Sequence, residues 1–197
     1  QSLKTFMCFC FISSFVYIVN DIFDKDADSK HPKKKNRPIA SGMITVFQAV
    51  PLAILFLAVS IILAKNISNM VFIIVLSYLL NNIFYNVFFK NLILIDVLSI
   101  SFGFIFRLLS GIFSVGLIPT PWIMLCTFFL ALFLGFSKRR AELKNSNPES
   151  SSRLVLEKYK INFLDSLIND SAFGSIISYS LFCSINQQNI EIMTTMP

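Results

Sequence analysis

The chain has 197 residues, of which 55% are apolar, 22 are Phe and only 14% carry a charge. Soluble globular domains carry nearer a quarter charged residues, so a mean hydropathy of +0.69 excludes a soluble enzyme of this size and equally excludes a disordered chain. The net charge of +6 does not point to nucleic acid, because six of the 17 Lys and Arg lie between Lys25 and Arg37 and seven between Lys138 and Lys160, leaving only Lys4, Lys65, Lys90 and Arg107 elsewhere. Two basic loops between long apolar runs mark a polytopic membrane protein, and the lipid bilayer is its expected surrounding.

A membrane-crossing helix needs roughly 20 apolar residues. Charge-free runs predict an all-α bundle of six spans near residues 4–22, 43–64, 69–89, 92–114, 122–139 and 171–186. The run after Arg107 is too long for one span, and Gly116-Leu-Ile-Pro119-Thr-Pro121 divides it. The runs lack the alternation of a membrane barrel. Placing loops 23–42 and 140–170 on the cytoplasmic side also brings Lys90 there and leaves only Lys4 and Lys65 near the other face, in keeping with the positive-inside rule. The whole is read as one transmembrane domain, 1–197, truncated at both ends, since it opens on Gln just before a span and stops at Met-Pro197. Cys8, Cys10, Cys126 and Cys183 all fall inside spans and read as thiols packed in the bundle. His31 reads as a solvated loop residue, and the stretch after Ser152 as a segment that can lie along the membrane surface.

The most informative residues stand where the first span meets the cytoplasm. Asn20, Asp24 and Asp28 share one helical face, and Asp21 neighbours Asp24 and Asp28 across it, whereas Asp26 points away into solvent. Carboxylates so spaced repel unless cations sit among them. A hard divalent ion suits them, Mg²⁺ above all, which takes one or two carboxylates and completes its shell with substrate phosphate. The plain alternative is a wet acidic helix end. The basic run from His31 to Arg37 follows at once, and carboxylates for a metal beside cations for phosphate oxygens suit a diphosphate.

These residues carry a resemblance. Asn20-Asp21-Ile-Phe-Asp24-Lys-Asp-Ala-Asp28 matches the NDxxDxxxD motif of the UbiA family of intramembrane prenyltransferases. Ala27-Asp28-Ser-Lys-His31-Pro32-Lys33-Lys34-Lys35-Asn36-Arg37-Pro38-Ile39-Ala40-Ser41-Gly42 resembles the ADxxHPxKxxRPIAxG segment of its decaprenyl-phosphate phosphoribosyltransferase branch. Two further segments are similar to that branch: Tyr85 to Lys90, running on to Asp96, Gly103, Arg107 and Gly111, and Gly135-Phe-Ser-Lys138-Arg139-Arg140-Ala-Glu142-Leu143.

The resemblance implies a bundle of about nine spans, of which about six are present, in a bacterial inner membrane with its cavity open to the cytoplasm. It implies Mg²⁺-dependent transfer of a 5-phosphoribosyl group from phosphoribosyl diphosphate to a polyprenyl phosphate. Asp21, Asp24 and Asp28 would then be the metal-binding and catalytic residues, and Asn20 would bind ligand or metal water. Lys34 and Arg37 would hold the diphosphate, and Lys138, Arg139 and Glu142 the 5-phosphate and ribose end. Asp96 either touches ribose hydroxyls or has a structural role, and Arg107, deeper in its span, pairs with a polar group on one of the spans that the chain lacks. Two other readings stand beside this one. An aromatic prenyltransferase of the same family would carry DxxxD where this chain has Lys138-Arg139-Arg140-Ala-Glu142. A cation transporter would place its ligands nearer the membrane midplane.

Overall fold

A computed structural model describes residues 1–30, 34–145 and 159–195; His31 and the proposed surface segment after Ser152 lie outside them except for its end from Tyr159. The described residues form helices α1 (Ser2–Phe23), α2 (Lys25–Ser29), α3 (Val46–Ile67), α4 (Asn69–Val87), α5 (Ile95–Ser114), α6 (Pro121–Asn145) and α7 (Ile161–Thr195), with single 3₁₀ turns at Lys34–Asn36 and Phe89–Asn91. Five stretches are long and apolar enough to cross a membrane: α1, α3, α4, α5 and residues Pro121–Lys144 of α6. The sixth expected span, 171–186, lies inside α7.

Local chemistry sets the boundaries. Thr45 and Gln48 form a reciprocal capping box that starts α3, and the Ser68 hydroxyl accepts from the Val71 amide to start α4. The expected break after α5 falls at Gly116, whose φ of +76° few other residues adopt, and Pro121 opens α6 at the first helical position, where its missing N–H is no loss.

Helix α1 packs along α3, α4 on α5, α5 on α6, and α6 along α7. One core cluster joins α1, α3 and α4 through Cys8, Phe9, Ile12, Ala64, Val75 and Tyr78; a second joins α5, α6 and α7 through Val97, Leu132, Phe136 and Leu164. The outward faces carry large apolar side chains such as Phe6, Ile54 and Phe173, as lipid contact requires.

Two expectations are corrected. Residues 140–170 are not one loop: α6 continues to Asn145 and α7 begins at Ile161. Leu164, Leu167 and Ile168, at helical spacing, face the second cluster and hold that first part of α7 in place. Arg140 also pairs with Asp165 across the hairpin, and this bond holds the Asp165 carboxyl below the usual range. Nor do all the thiols pack inside: Cys8 is buried and donates to the Ser60 carbonyl (3.3 Å), but Cys10 and Cys183 are exposed on their helices.

Candidate active site

The C-terminal ends of α1, α4 and α6 and the start of α5 surround a cavity of about 400 Å³. Asn20, Asp21 and Arg37 border it from the α1 side, and Lys138 and Arg139 from α6. Asn81, Asn82, Tyr85 and Asn86 of α4 form a polar wall, and Tyr78, Gly103 and Arg107 line its deeper part. The acidic end of the first span and the basic end of the fifth, more than a hundred residues apart in sequence, thus open on one space.

The acidic residues meet protein cations. Helix α1 ends at Phe23, yet the Asp28 amide still bonds the Asp24 carbonyl (2.8 Å), so α2 nearly keeps the helical phase. Arg37 Nη1 bridges Asp21 Oδ1 (2.8 Å) and Asp28 Oδ2 (2.7 Å). Lys34 stands 3.7 Å from Asp28, and Lys90 Nζ donates to Asp24 Oδ1 (2.9 Å). Asp26 faces solvent. In this structure the three carboxylates expected to share a metal each meet a protein cation instead. Among the described residues no three acidic, His or Cys side chains gather closely enough to hold a metal by themselves. Asp28 is 2% exposed and does not border the cavity. Mutual repulsion explains this, since each carboxylate gains more beside a cation than beside another carboxylate.

The end of α6 is arranged differently from expectation. Arg139 is 2% exposed: its Nε donates to Asp96 Oδ2 (2.7 Å) and its Nη1 to Glu142 Oε2 (2.6 Å). Asp96, fully buried, accepts a further bond from the Tyr159 hydroxyl (2.9 Å), which in turn accepts from the Leu94 amide (2.7 Å). Leu94 has a φ of +67°, unusual for a residue with a side chain, so Tyr159 pins a strained entry to α5. Burial pushes the Tyr159 hydroxyl well above its ordinary pKa and keeps it a donor. Asp96 is therefore spent on Arg139 and Tyr159, not open to ribose hydroxyls, and two of the three Arg139 nitrogens and one Glu142 oxygen are committed to this network. Lys138, exposed at the cavity, makes no ion pair among the described residues.

Two amide oxygens point to a ligand. Asn20 Oδ1 and Asn86 Oδ1 are buried beside the cavity with no hydrogen-bond donor. A buried acceptor without a partner is costly. Asn20 Oδ1 next to the Asp21 carboxylate is the hard-oxygen donor set that Mg²⁺ takes from a protein when substrate phosphates supply the rest, so these residues fit that ion. The α4 wall was missed in the sequence. Its signal was there, since Asn81, Asn82 and Asn86 are amides in an otherwise apolar span, and polar groups in spans are functional by default. Asn81 is itself tied to α5, donating to the Ser99 carbonyl and accepting from its hydroxyl.

Comparison with known proteins agrees with this architecture. The profile of the UbiA prenyltransferase family matches residues 2–142. A decaprenyl-phosphate phosphoribosyltransferase of Corynebacterium glutamicum is 32% identical over 180 residues, 90% of this chain and 54% of the relative. One of Mycolicibacterium smegmatis is 28% identical over 190 residues, 96% of this chain and 60% of the relative. The chain thus spans little more than half the length of these relatives. A solved UbiA homolog from Archaeoglobus fulgidus, bound to DMAPP and Mg²⁺, superposes with a TM-score of 0.80 at 19% identity, covering 91% of this chain and 65% of its own. With the family profile running through both the acidic end of α1 and the basic end of α6, the chain belongs to the UbiA prenyltransferase family.

Proposed function

We propose that this cavity transfers a 5-phosphoribosyl group from phosphoribosyl diphosphate to a polyprenyl phosphate at the cytoplasmic face of a bacterial inner membrane. The observation that carries the reading is the meeting of Asn20 and Asp21 with Lys138 around one space. The names of the two phosphoribosyltransferase relatives support it.

In this reaction the bond from ribose C1 to diphosphate breaks, diphosphate leaves with the electron pair, and an acceptor phosphate oxygen bonds C1. Positive charge develops on the sugar as in glycosyl transfer. Mg²⁺, when bound, supplies Lewis-acid stabilisation of the leaving diphosphate. Asp21 and Asn20 would hold it from the protein side, and Asp24, one turn further along and paired with Lys90, would add its negative charge nearby. Arg37, which already touches both Asp21 and Asp28, orients these carboxylates and presents cationic charge to diphosphate oxygens. Asp28 holds Arg37 in place. Lys138 takes the terminal 5-phosphate, a task that Arg139 supports from behind through its hold on the end of α6. No general base is needed, because the acceptor phosphate is already an anion.

The test uses membranes containing the full-length protein, labelled phosphoribosyl diphosphate, polyprenyl phosphate and Mg²⁺. Label enters the lipid fraction, and EDTA, Asp21→Ala or Asp24→Ala each abolish that transfer. Asp26→Ala is nearly silent. Lys138→Ala raises the KM for phosphoribosyl diphosphate by the equivalent of about 1.5–3 kcal/mol for a lost charged hydrogen bond. No label in lipid, together with product from a prenyl diphosphate and an aromatic acid, overturns the reading in favour of prenyl transfer.

A further inference from the structure

Arg107 is the charge that this chemistry leaves unused. It stands about 18 Å along α5 from the helix start at Ile95, deep within a candidate span. Its Nη2 donates to the Tyr78 hydroxyl (3.0 Å) and the Ser13 hydroxyl (3.4 Å), and the guanidinium lies 5.4 Å from the ring centres of Tyr78 and Phe104. Among the described residues it meets no carboxylate. Hydroxyls and ring faces orient a guanidinium without neutralising it, and an unneutralised charge within a span is expensive.

Two concave surfaces meet at this side chain. On one side is the polar cavity that also holds Asp21. On the other is a groove of about 400 Å³ between α1 and α5, nearly all apolar, bordered by Phe6, Phe9, Cys10, Ser110 and Gly111. A Cβ built on Gly111 meets nothing within 4 Å, so the groove is open there. A cation flanked by a polar cavity and an apolar groove is complementary to an anionic head with an apolar tail. Ser13, beside Arg107, lies about 12 Å below Asp21 on α1, which leaves room for a sugar between a leaving diphosphate and a second phosphate.

We propose that Arg107 seats the phosphate of an isoprenoid phosphomonoester and that the α1–α5 groove takes its first isoprene units. This rests on the phosphoribosyl-transfer reading, in which it identifies the acceptor subsite. Full-length protein in nanodiscs is probed with decaprenyl phosphate. In wild type, the lipid slows alkylation of Cys10 by a lipid-soluble maleimide at least fivefold and leaves Cys183, exposed on α7, unchanged. Arg107→Gln raises the Kd for decaprenyl phosphate at least tenfold while that for phosphoribosyl diphosphate stays within twofold. Gly111→Leu, which puts a side chain into the groove while keeping the Arg107 charge, weakens decaprenyl phosphate at least tenfold and dimethylallyl phosphate less than threefold. The proposal is overturned if Cys10 is unprotected, if it is already unreactive without lipid because other protein covers the groove, or if Gly111→Leu affects both phosphates alike. Should Arg107→Gln not fold, the wild-type protection and Gly111→Leu decide. Arg107-dependent binding of decaprenyl phosphate without any phosphoribosyl transfer leaves the seat standing and removes the transfer reading; transfer with Cys10 unprotected does the reverse.

Discussion

Arg139 shows how a residue's surroundings change the meaning of its charge. At the membrane edge a basic residue reads as a phosphate ligand or an inside-positive anchor, but burial against Asp96 turns it into a counter-ion. Removing one partner of a buried pair leaves the other uncompensated, at a cost of about 3–5 kcal/mol. Arg139→Ala in the full-length protein is therefore expected to lower the Tm strongly in detergent, and adding Asp96→Ala to recover part of the loss. A rise in the KM for phosphoribosyl diphosphate at unchanged Tm would instead return Arg139 to the role of ligand. Tyr159→Phe keeps the ring but removes the bonds to Asp96 and Leu94, a loss of about 1–3 kcal/mol. Because the folded state raises the Tyr159 pKa, its contribution is complete below the unfolded value of about 10 and is lost only as pH rises beyond it. The Tm difference between wild type and Tyr159→Phe should thus be flat from pH 6 to 9.

Between elements, the approach of α5 to α6 decides whether that network forms. A Cβ on Gly135 would lie 2.5 Å from a methyl of Val97, and one on Gly174 2.8 Å from the Phe129 ring, so α6 is packed tightly on both sides. Val97 is fully buried, β-branched and next to Asp96, which leaves it little freedom to give way. Gly135→Ala is expected to cost about 1–3 kcal/mol through overpacking and to reduce turnover by shifting the end of α6. An unchanged Tm and full activity would show that the contact relaxes. The α6–α7 hairpin also shows where charge counting misleads. Arg140 and Asp165 read as loop residues because each is charged, but paired across two helices they extend the hairpin beyond the apolar stretch.

For the molecule as a whole, the acidic end of α1, Arg37 and the basic end of α6 lie at one end of the bundle, around the cavity. If that end faces the cytoplasm, a cysteine replacing exposed Ser41 reacts with an impermeant maleimide only from inside, and one replacing Ile118, 88% exposed in the α5–α6 loop, only from outside. The reverse pattern would invert the bundle and put the diphosphate site on the wrong side for a cytoplasmic donor.

The helical membrane architecture and the family were both legible in the amino-acid order, because each rests on local signals. Apolar run length sets where helices cross, Gly116 and Pro121 mark a break between two of them, and the spacing of Asn20, Asp21, Asp24 and Asp28 needs only one helix to be seen. The pairing of charges was not legible. Which cation each carboxylate meets depends on contacts such as Lys90 to Asp24 or Arg139 to Asp96, 66 and 43 residues apart. Tertiary packing alone decided that Asp96 and Arg139 neutralise each other out of reach of water while Arg107 stays without a carboxylate among the described residues. The reason is physical: a charge is stabilised by its neighbours in space, and in a bundle those neighbours come from other helices.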